Sequence, residues 1–225
     1  MTATVNRPEA AECVAGPRPR QRWALWGAAA GVLGFVATLA TDDRVGGPDH
    51  TFVPSDLELV HRGAFQVGVV FGLLTVLAMV VTSAGWRRWA ERVAPDSLAA
   101  RTLGMGLFAT AASMILAYGF KGSLAVYLPG GMDEGQYPLE GLYAVWMFLD
   151  FAPYIAWWGA TVAAAAAVWL AFREGLLPRW IGVVSALFVL APVAFMVSTG
   201  LPGFPGVVSP AWLVIFSLGA WLRRS

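Results

Sequence analysis

Two ionisable side chains, Lys121 and Asp150, stand inside long apolar stretches of this sequence. A charge in hydrocarbon is costly unless it is paired or faces a polar cavity, so each marks a functional site by default. Lys121 lies seven residues before Leu128, and Asp150 seven residues after Tyr143, the boundaries predicted for two consecutive helices. At ~1.5 Å per residue, both sit about 10 Å below the same membrane surface. Antiparallel neighbours would bring them level, and an ion pair between them is expected. Breaking such a pair from one side costs on the order of 3–5 kcal/mol.

The tyrosines gather in the same half. Tyr118, Tyr127, Tyr137, Tyr143 and Tyr154 all fall in the outer part of these two spans or in the loop between them. Tyr118 and Lys121 are i,i+3 neighbours, while Tyr143, Asp150 and Tyr154 follow an i, i+7, i+11 line, so each set shares one helix face. The reading is an outward-opening ligand-binding pocket lined by Tyr118, Lys121, Asp150 and Tyr154. Asp150 is its catalytic acid if the protein is an enzyme. The same residues also fit a lone ion pair that locks two helices, with tyrosines as interfacial anchors.

A second polar cluster precedes them. Asp42, Asp43, Asp49, His50, Asp56, Glu58 and His61 crowd into one loop, and Glu58-Leu59-Val60-His61 has the Glu-x-x-His spacing of carboxylate-bridged metal sites. A site of that kind needs a second such motif and more carboxylates, which the sequence lacks, so no metal is expected. Two histidines exclude the multi-histidine boxes of membrane di-iron enzymes. Both lie at or beyond the outer membrane edge, which argues against bis-histidine haem ligation within the bilayer. There is no Gly-rich phosphate loop, Gly-x-Ser-x-Gly elbow or His-Glu-x-x-His. The single cysteine, Cys13, permits no intramolecular disulfide, and no cofactor is expected.

The elements that must hold these residues are all α-helical. Hydrophobic residues make up 58% of the 225, charged residues only 13%, and the mean hydropathy is +0.64. Soluble domains carry about 25% charge; a bilayer solvates the apolar excess that water cannot. Six spans are predicted: Trp23–Thr41, Phe65–Trp86, Thr102–Leu128, Tyr143–Phe172, Ile181–Thr199 and Val207–Leu222. The second can begin earlier, because Ser55-Asp56-Leu57-Glu58 has capping-box spacing. Pro153 predicts a kink in the fourth. The first exceeds a signal-peptide core in length and is read as retained. Residues 1–22, rich in Pro, Ala and Arg, read as a disordered tail, and 23–225 as one six-helix transmembrane domain.

Arginine placement orients the bundle. Arg7, Arg18, Arg20, Arg22, Arg87, Arg88, Arg92, Arg101, Arg173, Arg179, Arg223 and Arg224 share one side if the spans alternate, against Arg44 and Arg62 on the other. Positive residues mark the cytoplasm, which places both termini there in a cytoplasmic membrane. Trp23, Trp26, Trp86, Trp89, Trp180 and Trp221 sit at that same boundary as interfacial anchors. Gly27-x-x-x-Gly31 and Gly159-x-x-x-Ala163 predict close helix packing. A net charge of +1 gives no reason to expect nucleic acid as a partner.

The hairpin Arg173-Glu174-Gly175-Leu176-Leu177-Pro178-Arg179-Trp180-Ile181-Gly182 resembles a bacterial family of six-helix integral membrane proteins of uncharacterised function, which show a similar Leu-Pro-Arg-Trp step into span five and a basic stop after span six. The resemblance implies topology and no activity. Three functions compete. One is a non-enzymatic protein binding a small amphiphile or lipid from the outer side, in an accessory or transport role. Another is an intramembrane enzyme acting on an isoprenoid or lipid by terpene-cyclase-like acid catalysis. The third, a secondary transporter, lacks the expected inverted repeat and paired broken helices. The lipid bilayer is the expected partner, and a homo-oligomer stays open.

Overall fold

A computed structural model of the chain describes residues 21–43 and 49–222, so the sequence readings for residues 1–20, Cys13, Arg44 and residues 223–225 lie outside the described residues. The described chain is helical, without strands, and six helical stretches are long and apolar enough to cross a membrane. The first is α1 (Trp23–Phe35), which continues as a π-helical turn over Val36–Ala40. After a 3₁₀ turn (Pro54–Glu58) come α2 (Arg62–Val93) and α3 (Leu98–Tyr127). The fourth span is made of α4 (Leu139–Leu149), α5 (Ala152–Ile155) and α6 (Trp158–Phe172); α7 (Arg179–Thr199) and α8 (Phe204–Leu222) complete the bundle.

The helices extend past the predicted spans. At 32 and 30 residues, α2 and α3 outrun the roughly 20 that hydrocarbon requires. Hydropathy marks where lipid begins, whereas a helix runs on wherever its backbone hydrogen bonds can. Ser97 starts α3 by accepting the Ala100 N–H at 3.0 Å. The predicted Ser55/Glu58 capping box is not what forms: the Asp56 carboxylate accepts the Val53 N–H at 2.8 Å and caps a separate 3₁₀ turn. The kink at Pro153 is a full interruption. Proline has no N–H and its ring crowds the carbonyl four residues back, so α4 stops at Leu149 and Pro153 opens the short α5.

Consecutive spans pack on one another, and α8 returns to α1, closing a ring. Small residues set the closest approaches. A Cβ on Gly27 would meet Ser217 Oγ at 2.2 Å, and one on Gly159 would meet Gly106 O at 2.5 Å, so both predicted small-residue motifs lie in helix contacts. The core centres on Trp157, Tyr118, Met114, Leu107 and Trp86, with the alanine-rich face of α6 behind them. Outside, Leu77, Leu116, Leu190 and Val197 are each more than 60% exposed. That surface suits lipid rather than water.

Candidate functional site

Lys121 is 3% exposed and points across the bundle, away from its own neighbours and into the end of the first span. Its ammonium donates to Ala37 O at 2.8 Å, Thr41 O at 3.2 Å and Thr41 Oγ1 at 2.8 Å, using all three donors. The π turn makes this possible. The widened backbone ends at Thr41 and leaves C-terminal carbonyls without the amide partners of a regular helix. A cation at the negative end of a helix dipole is favourably placed.

The route from α3 to α1 passes over α2, where glycines clear it. A Cβ on Gly68 would meet Lys121 Cδ at 2.9 Å, and one on Gly72 would meet the Tyr118 ring at 2.3 Å. Gly68-x-x-x-Gly72 therefore forms a channel for the i,i+3 pair that the sequence identifies. Tyr118 fills its part completely: it is fully buried, and its hydroxyl lies 2.8 Å from Thr38 Oγ1. Thr38 Oγ1 also accepts Trp157 Nε1–H at 3.1 Å.

Asp150 and Lys121 do come to one level, lining a cleft at the acidic end of the bundle with Thr41, Asp42, Asp43 and Trp146. The expected ion pair between them is not among those of the described residues, because the ammonium's hydrogen bonds all go to span one. Ala37 O of the π turn, with the carbonyl and hydroxyl of Thr41 just after it, supplies the acceptors that Asp150 was expected to provide. Tyr154 donates to Asp42 Oδ2 at 2.7 Å. The one-face relation predicted for Asp150 and Tyr154 is lost, since the helix breaks between them. Three of the predicted site residues, Lys121, Asp150 and Tyr154, thus reach the cleft or its wall, whereas Tyr118 lies in the packed core. Sequence reasoning missed Thr38 and Thr41, and placed Asp42 in a separate loop cluster rather than at this site. The available signal was a pair of threonines in the last turn of a span that ends at consecutive aspartates.

The cleft measures about 20 Å³, space for a single water-sized group. Above it, the loop is pinned by its own acids. His50 Nε2 lies 2.8 Å from Asp56 Oδ2, and Asp43 Oδ2 accepts the His61 N–H at 2.6 Å. The Val53 amide, and after it the His50 side chain, hold the Asp56 carboxyl below its ordinary range. Glu58 and His61 share no helix face: Glu58 ends the 3₁₀ turn and His61 precedes α2. Family models, curated proteins and solved structures provide no match to this chain, so its functional reading rests on the site.

Proposed function

We propose that this multi-pass protein lies in the cytoplasmic membrane with both termini inside, and binds a small amphiphile or lipid from the outer side in a non-enzymatic accessory or transport role. Asp150 and Tyr154, joined by Thr41 and Asp42, hold its polar head, and the Lys121 ammonium, its own donors taken up by the first span, sets the charge of the ligand-binding cleft. Tyr118 acts from the core by fixing the last turns of α1. The observation that carries the reading is a buried ammonium fixed beside carboxylates within a span, at a cleft of water-like size. Such an arrangement is costly to keep in hydrocarbon. A cleft of about 20 Å³ suits one hydroxyl or amine head, with the tail left in lipid. An isoprenoid cyclase acting through Asp150 would need to enclose its substrate in several hundred Å³, so cleft size favours binding over catalysis.

Mass spectrometry of the small molecules that copurify in mild detergent tests this directly. A hydroxyl- or amine-headed amphiphile enriched over bulk lipid is the expected result. A lipid profile identical to that of an unrelated membrane protein from the same cells would refute it.

A further inference from the structure

A second, much larger hollow than the cleft lies at the opposite, arginine-bearing end. It is a groove of about 810 Å³ along one side of the α2–α3 hairpin. Its floor is made of buried small residues, Ser83, Ala90, Ala100 and Gly104. Larger side chains would fill it; these leave a trough between two helices that otherwise pack tightly. The floor is also tied across. Ser83 Oγ donates to Gly104 O at 2.7 Å, and Trp86 Nε1 donates to Ala100 O at 2.8 Å. The trough is therefore built into the fold and needs no rearrangement to open.

The groove is polar at one end and apolar along the rest. Near the hairpin tip it is bordered by Arg87, Glu91 and Arg101. Arg87 is paired with Glu91 at 2.9 Å, but both are largely exposed, and a surface pair of that kind holds its partners weakly. Arg101 donates to Pro95 O and remains exposed. Two cations against one anion leave the mouth net positive. Deeper in, the walls are Val80, Met105 and Phe108, with Phe108 56% and Met105 71% exposed and without protein cover. From Ala94 to Val80 the groove follows 14 residues of chain, about 21 Å at ~1.5 Å per residue. A long acyl chain fits that length, and its volume lies within the range of small-molecule sites.

We infer that this groove is a binding site for an anionic phospholipid, with an acyl chain along Val80, Met105 and Phe108 and its phosphate at Arg87 and Arg101. Basic pockets between helices at the cytoplasmic boundary take such head groups, and the orientation proposed above puts this end there. The inference is independent of the acidic-end cleft, which lies at the other end of the same helices.

Native mass spectrometry of the whole protein in detergent, titrated with phosphatidylglycerol or with phosphatidylcholine of identical chains, tests it. Phosphatidylglycerol should bind at least about fivefold more tightly, the worth of one net positive charge near a lipid surface. Arg87→Gln with Arg101→Gln should abolish that preference, and Arg87→Lys with Arg101→Lys should retain it. Ala84→Phe with Ala109→Phe, at exposed positions along the groove, should weaken both lipids. Equal binding of the two lipids by the unaltered protein would overturn the inference. So would a preference that survives the glutamine pair, or a dimer that occupies the groove and displaces lipid.

Discussion

Lys121 Nζ lies 2.8 Å from the carbonyl oxygen of Ala37, joining the third span to the end of the first across more than eighty residues of sequence. The cation replaces the amides that the π turn and the end of α1 withhold from those carbonyls. The polar cleft therefore depends on an interhelical hydrogen-bond cluster, and the first span is part of the site's wall.

Lys121 and Thr41 should behave as one unit. Lys121→Met removes the ammonium from Thr41 O and Thr41 Oγ1 and leaves Ala37 O with the Thr41 hydroxyl as its donor, and should lower stability by about 1–3 kcal/mol. Thr41→Val removes one hydroxyl, which accepts from Lys121 and donates to Ala37 O, and should cost less because it strands no charge. Together they should fall short of the sum by at least about 0.5 kcal/mol, since the second change removes a bond already lost. Detergent-solubilised melting of the single and double variants measures this, and strictly additive losses would argue against the cluster.

Gly72 tests the channel. Its missing Cβ is filled by the Tyr118 ring at 2.3 Å, and the ring has no free space to move into. Gly72→Ala should destabilise by about 1–3 kcal/mol, as overpacking does in tight cores. Gly63→Ala, with nothing within 4 Å, is the matched control and should leave melting unchanged. Equal melting temperatures for the two variants would count against the packing described.

The sequence shows the bundle clearly because lipid imposes one simple demand, a long apolar run, on each span. Depth was legible for the same reason: counting residues from the boundaries placed Lys121 and Asp150 at a common level, and both line one cleft. Partner choice was not legible. The spacing of charges cannot reveal that the backbone of α1 widens into a π turn, or that its carbonyls outcompete a carboxylate for Lys121. Gly68-x-x-x-Gly72 went unread in the sequence, because which side chains cross at such a pair depends on helix rotation. Pro153 signalled a break, yet the loss of the Asp150–Tyr154 face follows only once α4 and α5 are seen as separate helices.

Orientation can be read by labelling. In a Cys13→Ser background, Gly47→Cys should react with an impermeant maleimide on intact cells and Pro95→Cys should not. The arginine asymmetry requires this result. Labelling of position 95 from outside would invert the proposed topology.

Asp56 gives the acidic loop a pH dependence of known sign. Its carboxyl is held below the ordinary value by the Val53 N–H and the His50 side chain. The stability it contributes is therefore fully present above an unfolded aspartate's pKa of ~3.9 and lost as pH falls through the lower folded value. The Val53 amide resonance, followed by NMR, should titrate with a midpoint below that of an ordinary aspartate. In Asp56→Asn the transition should vanish. A midpoint at or above ~3.9 would contradict the capping role.

The most direct test of the central claim compares how much of the copurifying amphiphile is retained by the unaltered protein, Asp150→Asn and Tyr154→Phe, each checked for an unchanged melting profile. Asp150 lines the cleft, and Tyr154 holds the Asp42 carboxylate at 2.7 Å. Each change removes one polar feature while nearly preserving shape. The account predicts ligand loss of about fivefold or more in each variant, the equivalent of one hydrogen bond to a charged group or somewhat less. Full retention by both variants would show that the ligand binds elsewhere and that the cleft is a packed, internally satisfied polar cluster.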